Sequence, residues 1–278
     1  MDLRELRGTE GFWPRLKWQG RIFGAYFGQF VKMRLAYRMD FLVDTLAVCF
    51  SMVIQLSVLT VLFSKVCVLD GWSFEQVLFI YGFSLLPLGL FNLISVNFYG
   101  FSDKYIIGGK FDRVLLRPVN SLVQVMFESF NVSGLNEIAL GSAVMIYAGM
   151  KLNLHPGVMD MLVLLMLVPS AALVYTGVFL GITSVSFWFE DKMGLAPPVY
   201  NVIRFSRYPL TIYSLPVRVF LTFVLPFAWV AFYPATWFIG GQQLPGVALL
   251  TVPVGLVVFL GAVVIWHRGV ANYASTGS

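Results

Sequence analysis

One stretch of the sequence limits the fold more than any other, because no charged side chain lies between Arg218 and His267. As a single helix, residues 219–266 would be about 72 Å long, whereas the hydrocarbon layer of a bilayer is about 30 Å thick. The run must therefore fold back on itself. Hydrophobic residues make up 58% of the chain and charged residues 12%, against about a quarter charged in soluble domains. The sequence predicts an all-α polytopic membrane protein, and it excludes a soluble enzyme, a disordered chain and a disulfide scaffold.

Six windows are long enough to cross a bilayer as helices, which takes about 20 residues. The predicted spans cover about 41–63, 76–100, 122–150, 161–189, 215–232 and 247–266. The apolar piece 234–240 is too short to cross and lies between turn signals, so 233–246 is predicted to be re-entrant. Residues 1–40 are predicted to form an amphipathic helix at the inner membrane interface. Residues 1–278 are thus expected to form one transmembrane domain.

The basic residues predict the orientation. All but Lys65 and Lys151 of the 19 basic residues precede the first span, lie within 101–120 or 190–208, or lie at the adjacent helix ends. Short cytoplasmic loops are enriched in Lys and Arg, so both termini are predicted to be cytoplasmic. The net charge of +5 is assigned to this asymmetry rather than to nucleic-acid binding.

The sequence contains few groups suited to catalysis. Its two histidines, His155 and His267, are predicted on opposite sides of the membrane, and no phosphate-binding loop is present. We therefore predict no catalytic, cofactor-binding or metal residues. Glu137, with Asn131 nearby, is the candidate intramembrane polar site, because ionisable residues within spans are often functional. Structural hydrogen bonding and binding of a substrate or proton both remain open for it.

The segment 101–120 is the most informative part of the chain. It is short and predicted to be cytoplasmic, yet it mixes charged residues with many apolar ones. This composition is typical of a short surface helix whose apolar side chains insert into another protein. Phe111, Val114 and Leu115 are the expected anchor, with Arg113 and Arg117 at its rim.

The stretch from Gly109 to Pro118, Gly-Lys-Phe-Asp-Arg-Val-Leu-Leu-Arg-Pro, resembles the cytoplasmic loop of permease subunits of ABC-2 type exporters. The pattern is carried by Gly109, Asp112, Leu115, Arg117 and Pro118. Weaker matches follow in 207–210, 225–227 and 233–235. The chain is particularly similar to a six-span branch of permeases often encoded beside a second permease and an ATPase.

The resemblance implies the ABC-2 exporter permease fold, with six transmembrane helices, an interfacial N-terminal helix and a cytoplasmic coupling helix, in the bacterial cytoplasmic (inner) membrane. It implies a second permease, identical or homologous, and two ATP-binding-cassette ATPase subunits that hold ATP and Mg, with no cofactor in this chain. Residues 190–207 would form a second cytoplasmic contact. The residues implied in coupling to the ATPase are Asp103, Tyr105, Gly108, Gly109, Phe111, Asp112, Arg113, Val114, Leu115 and Arg117.

Two other functions stay open. A membrane enzyme acting on lipid head groups predicts Asp, His or Arg residues clustered at one depth in the membrane. A scaffold without transport activity predicts that no ATPase subunit is bound.

Overall fold

A computed structural model describes residues 38–131, 133–189, 195–240 and 245–274. Most of the predicted interfacial helix, residues 1–40, lies outside these ranges. Within them the chain is helical, and the one β-type pairing is the isolated bridge between Leu69 and Trp72. The all-α class is therefore confirmed. The α-helices are α1 (Arg38–Lys65), α2 (Phe74–Ser95), α3 (Phe111–Leu115), α4 (Ser121–Phe127), α5 (Ser133–Lys151), α6 (Val158–Ser184), α7 (Ala196–Val202), α8 (Leu215–Val219), α9 (Phe232–Ile239), α10 (Pro245–Leu249) and α11 (Thr251–Asn272).

Four stretches of the described chain are long and apolar enough to cross a membrane. They are Thr45–Lys65, Phe74–Ile107, Val158–Phe187 and Gly246–Asn272. These stretches confirm four of the predicted spans as helices able to cross a bilayer. The other two predicted spans are not single helices.

The third predicted span, 122–150, is interrupted between α4 and α5. Its broken backbone is satisfied by α2 and the turn that follows α2. The amide of Asn131 donates to the carbonyl of Leu93 at 3.2 Å, and the Asn97 side chain donates to the carbonyl of Ser129 at 3.1 Å. An interruption at membrane depth needs such protein partners. The partners are distant in sequence, which explains why the apolar pattern alone did not show the break.

The fifth predicted span, 215–232, contains a sharp bend. Leu215–Val224 and Phe227–Ile239 meet at 77°, because Pro226 lacks the amide hydrogen that a continuous helix requires. The turn predicted at Pro234 lies instead within the first turn of α9, where a proline is tolerated.

The two arms form a hairpin rather than a span. Its tip, Phe227, is fully buried and lies 5.2 Å from the Tyr175 ring between centroids. The second arm returns to the beginning of α2, where Phe238 lies 6.0 Å from Phe79. The sequence predicted a re-entrant segment at 233–246. The structure instead has the re-entrant hairpin at 215–239.

The segment 195–212, predicted as part of a cytoplasmic loop, runs antiparallel to α2 along most of its length. Three contacts mark its course: Tyr200 with Asn92, Arg207 with Tyr81, and Thr211 with Trp72. The segment consists of the short helix α7 and two 3-10 helices, Ile203–Arg207 and Leu210–Ile212. It therefore lacks the long apolar run by which spans are recognised.

Two basic residues therefore move from their predicted positions. Arg207 lies inside the bundle, and Arg218 donates to the carbonyl of Tyr213 at 2.6 Å, close to Thr211 and Trp72. We call this the Trp72 end of the bundle; the opposite end, where Phe98 meets Trp266, is the Phe98 end. The charge asymmetry becomes smaller but keeps its direction, so the orientation stays a prediction.

Glycines allow the long helices to pack backbone to backbone. In α2, Gly82 and Gly89 face Gly141 and Gly134 of α5, and a Cβ added to Gly82 would lie 2.6 Å from the backbone nitrogen of Met145. Small residues at helix contacts are the usual means of close packing within a membrane. The pair α6 and α11 meets in the same way, at Gly177 and Gly255.

Candidate functional site

The segment 101–117 begins as a continuation of α2 rather than as a free loop. A π-helix, Ser102–Ile107, follows α2 and ends when the amide of Gly108 donates to the carbonyl of Asp103 at 3.0 Å. Gly109 then adopts φ +63°, a left-handed conformation that favours glycine. The chain turns there and enters α3.

One side of this segment faces the interior of the chain. Phe111 is fully buried, and Tyr105 and Val114 are nearly so. The Phe111 ring lies 5.0 Å from Tyr273 and 5.1 Å from Phe187 between centroids, in edge-on arrangements that aromatic rings prefer. We name as the aromatic cluster Phe101, Phe111, Phe187, Trp266 and Tyr273.

This burial corrects the predicted anchor. Phe111 and Val114 hold the segment to its own chain, and they have no free surface to insert into a partner. Of the three predicted anchor residues, Leu115 alone is exposed. A helix of five residues is too short for its spacing to reveal which side meets the core.

Polar contacts fix the segment further. Lys104 forms an ion pair with Glu128 at 3.2 Å, and the Tyr105 hydroxyl donates to the same carboxylate. These contacts tie the π-helix to the end of α4. Asp112 lies beside Tyr273, just past α11, and burial together with this carboxylate raises the pKa of Tyr273. The segment is thus attached both to the end of α4 and to the residue that follows α11.

The other side of the segment is exposed and amphipathic. Leu116 is 84% exposed, and Ile107 and Leu115 are about half exposed. The exposed charged residues around them are Asp103, Lys110, Arg113 and Arg117. We call this surface the docking face. Three exposed large apolar side chains in one short segment, together with mainly basic charges, are typical of a protein contact.

The predicted pair of Asn131 and Glu137 is separated in the structure. Asn131 caps the start of α5, where its side-chain oxygen accepts from the amide of Ser133 at 3.1 Å. Glu137 accepts from the side-chain amide of Asn92 at 2.7 Å, and Asn92 also donates to the Tyr200 hydroxyl at 3.2 Å. Glu137 therefore belongs to a different set of residues from the predicted one.

Arg207 faces the same region as Glu137. Its guanidinium donates to the side-chain oxygen of Gln55 on α1 and lies 5.8 Å from the centroid of the Tyr81 ring. A cavity of about 260 Å³ is lined by both charged residues, with Ser51, Gln55 and Tyr81. We call it the polar cavity. Arg207 was not a predicted site residue, because charge counting had placed it in a cytoplasmic loop.

Within the described residues, no group of three His, Cys, Asp or Glu side chains is arranged to hold a metal ion. Residues 49–277 match the family model described as ABC-2 family transporter protein, which covers most of the chain. Searches among curated proteins and among solved structures returned no match.

Proposed function

The chain belongs to the ABC-2 transporter family, and on this premise we propose that it is the permease subunit of an ATP-driven exporter. The family match confirms the resemblance drawn from Gly109–Pro118. The proposed complex contains a second ABC-2 permease, identical or homologous, and two ATP-binding-cassette ATPase subunits. ATP and Mg are bound by those subunits. In this proposal the chain crosses the bacterial inner membrane six times, with the 195–212 segment in place of the predicted span 215–232, and both termini lie in the cytoplasm.

The docking face is the observation that carries this proposal. ATP binding biases the state of the ATPase pair, and the bias reaches the membrane only through a physical contact. Ile107, Leu115 and Leu116 supply an apolar centre for that contact. Arg113 and Arg117 complement acidic groups at its edge.

The buried side of the segment explains how a movement would be transmitted. The aromatic cluster joins α3 to the end of α11 and to the Val185–Phe187 turn after α6. The Lys104–Glu128 ion pair joins the segment to α4. The predicted coupling residues that lie outside the docking face, including Phe111, Asp112 and Val114, are assigned to this internal role. A push on the docking face would therefore move several helix ends together.

The contact with a second permease is proposed along α1 and the 195–212 segment. Only 11% of the apolar window of α1 is buried within the chain. Arg204 is exposed although it lies in sequence between Tyr200 and Arg207, whose partners both lie along α2. A charge at membrane depth usually faces protein or a water-filled path rather than lipid.

The polar cavity bears on the enzyme alternative, which requires ionisable groups at one depth. The structure does bring Glu137 and Arg207 to one cavity. The family supplies the membrane component of transporters, however, so these groups are assigned to binding rather than to catalysis.

Affinity purification of the tagged full chain in mild detergent tests the proposal. We expect an ATP-binding-cassette ATPase to co-purify, and we expect Leu116→Asp to remove it because a carboxylate cannot occupy an apolar interface. Val158→Asp is the matched control, since Val158 is 81% exposed at the opposite end of the bundle. If no ATPase co-purifies with the unchanged chain, the scaffold function replaces the permease.

A further inference from the structure

We infer that the polar cavity binds the headgroup of a zwitterionic amphiphile, one that carries both a phosphate and an amine. The cavity lies between α1, α2, α5 and the Ile203–Arg207 turn, and its lining combines one acid with one base. This binding site is independent of the docking face.

The two charges of the cavity are not paired with each other. Glu137 and Arg207 both line it, yet no contact within the 4.0 Å of an ion pair joins them. Each is held by a neutral amide instead, Glu137 by Asn92 and Arg207 by Gln55. Separated charges away from water are costly. A ligand with the complementary pair of charges would stabilise both at once.

Each charged group retains capacity for a ligand. The Nε atom of Arg207 is buried without a hydrogen-bond partner, and a guanidinium N–H is a strong donor to phosphate oxygens. Asn92 occupies only the Oε2 atom of Glu137, so the carboxylate remains an acceptor for an amine. The arrangement therefore matches a phosphate at one wall and an ammonium group at the other.

The size and the surroundings of the cavity favour a headgroup over a whole lipid. Its volume of about 260 Å³ falls just below the range of about 300–1,000 Å³ for pockets that enclose drug-sized ligands. On the α1 side, Ala47 and Ser51 are exposed, which leaves the cavity open there. The adjoining surface of α1 is apolar, with Leu46 and Phe50 each 68% exposed, and the acyl chains would lie against it, between α1 and the second permease.

Native mass spectrometry of the purified full chain tests this inference. The chain is mixed with equal amounts of phosphatidylethanolamine, phosphatidylglycerol and diacylglycerol, and the lipid retained is counted. We expect phosphatidylethanolamine to be retained about tenfold more than phosphatidylglycerol, a difference equivalent to about 1.4 kcal/mol, and phosphatidylglycerol to be retained more than diacylglycerol. Glu137→Gln should lower phosphatidylethanolamine to the level of phosphatidylglycerol, and Arg207→Gln should lower both phospholipids to the level of diacylglycerol.

A pair of variants on α1 keeps the test independent of folding. Ser51→Phe fills the cavity from its exposed side, whereas Ser57→Phe adds the same ring to an exposed position of α1 that does not line the cavity. Only Ser51→Phe should abolish the preference, and both variants should still co-purify with the ATPase. The inference is overturned if the unchanged chain retains the three lipids equally, if phosphatidylglycerol is retained as well as phosphatidylethanolamine, or if Ser51→Phe keeps the preference. None of these results would affect the proposed permease function.

Discussion

Replacing Phe111 with Ala is expected to destabilise the chain itself, by about 3–5 kcal/mol, as truncation of a fully buried aromatic residue does. Its ring has four aromatic neighbours, with centroids 5.0 to 6.0 Å away. Each such pair contributes about 0.5–1.5 kcal/mol beyond the burial of area. The cavity left by Ala is enclosed by rings from α11 and from the Val185–Phe187 turn, so it cannot be filled by a simple shift of α3.

Leu116→Ala is the matched comparison, one turn further along the same segment. Leu116 is 84% exposed, so its truncation should change the free energy of unfolding by less than about 0.5 kcal/mol. It should instead weaken ATPase docking by more than about 1 kcal/mol, because apolar residues at the centre of an interface contribute most of the binding energy.

Both quantities are measurable on one set of proteins. The free energy of unfolding is obtained by titrating the chain from mild detergent into SDS, and the transition is followed by tryptophan fluorescence, to which Trp266 within the cluster contributes. Docking is measured by titrating the ATPase subunit onto the reconstituted chain. If Phe111→Ala unfolds like the unchanged chain, the aromatic cluster does not hold the segment. If Leu116→Ala docks with full affinity, the docking face lies elsewhere.

Three further outcomes are expected. Gly82→Ala should lower the free energy of unfolding by about 1–3 kcal/mol through overpacking against α5, whereas Gly261→Ala, with nothing within 4 Å of the added Cβ, should be neutral or stabilising; equal effects in the same SDS titration would refute the close packing. In an otherwise cysteine-free chain in intact cells, a cysteine at Lys151 should react with an impermeant thiol reagent and one at Lys110 should not, and the reverse pattern would invert the orientation. Phe227→Ala should destabilise the re-entrant hairpin and make it sensitive to added protease, because Phe227 is fully buried at the tip; unchanged resistance to protease would show that the tip contributes little.

The sequence indicated which segment to consider but not which of its apolar side chains are buried. The apolar residues of 101–117 were visible, and so was the pattern from Gly109 to Pro118. Whether Phe111 or Leu116 faces outward depends on Phe187, Trp266 and Tyr273, which are far away in the chain. For the same reason, the sequence predicted only one of the two charged residues that line the polar cavity. Glu137 was noticed as an acid within a span, whereas its neighbours Asn92 and Arg207 come from separate segments.

The sequence by itself determined the class of the protein and its long helices, because a backbone in a bilayer must satisfy its own hydrogen bonds and does so over a long apolar helix. That rule identified the helices able to cross at Thr45–Lys65, Phe74–Ile107, Val158–Phe187 and Gly246–Asn272. The tertiary structure decided the rest. Helical hydrogen bonds are interrupted at three places: the break before α5, the 195–212 segment and the hairpin at Pro226. Such interruptions are stable only where other segments supply hydrogen-bond partners and packing. Those partners are set by the fold, and no local pattern of residues specifies them.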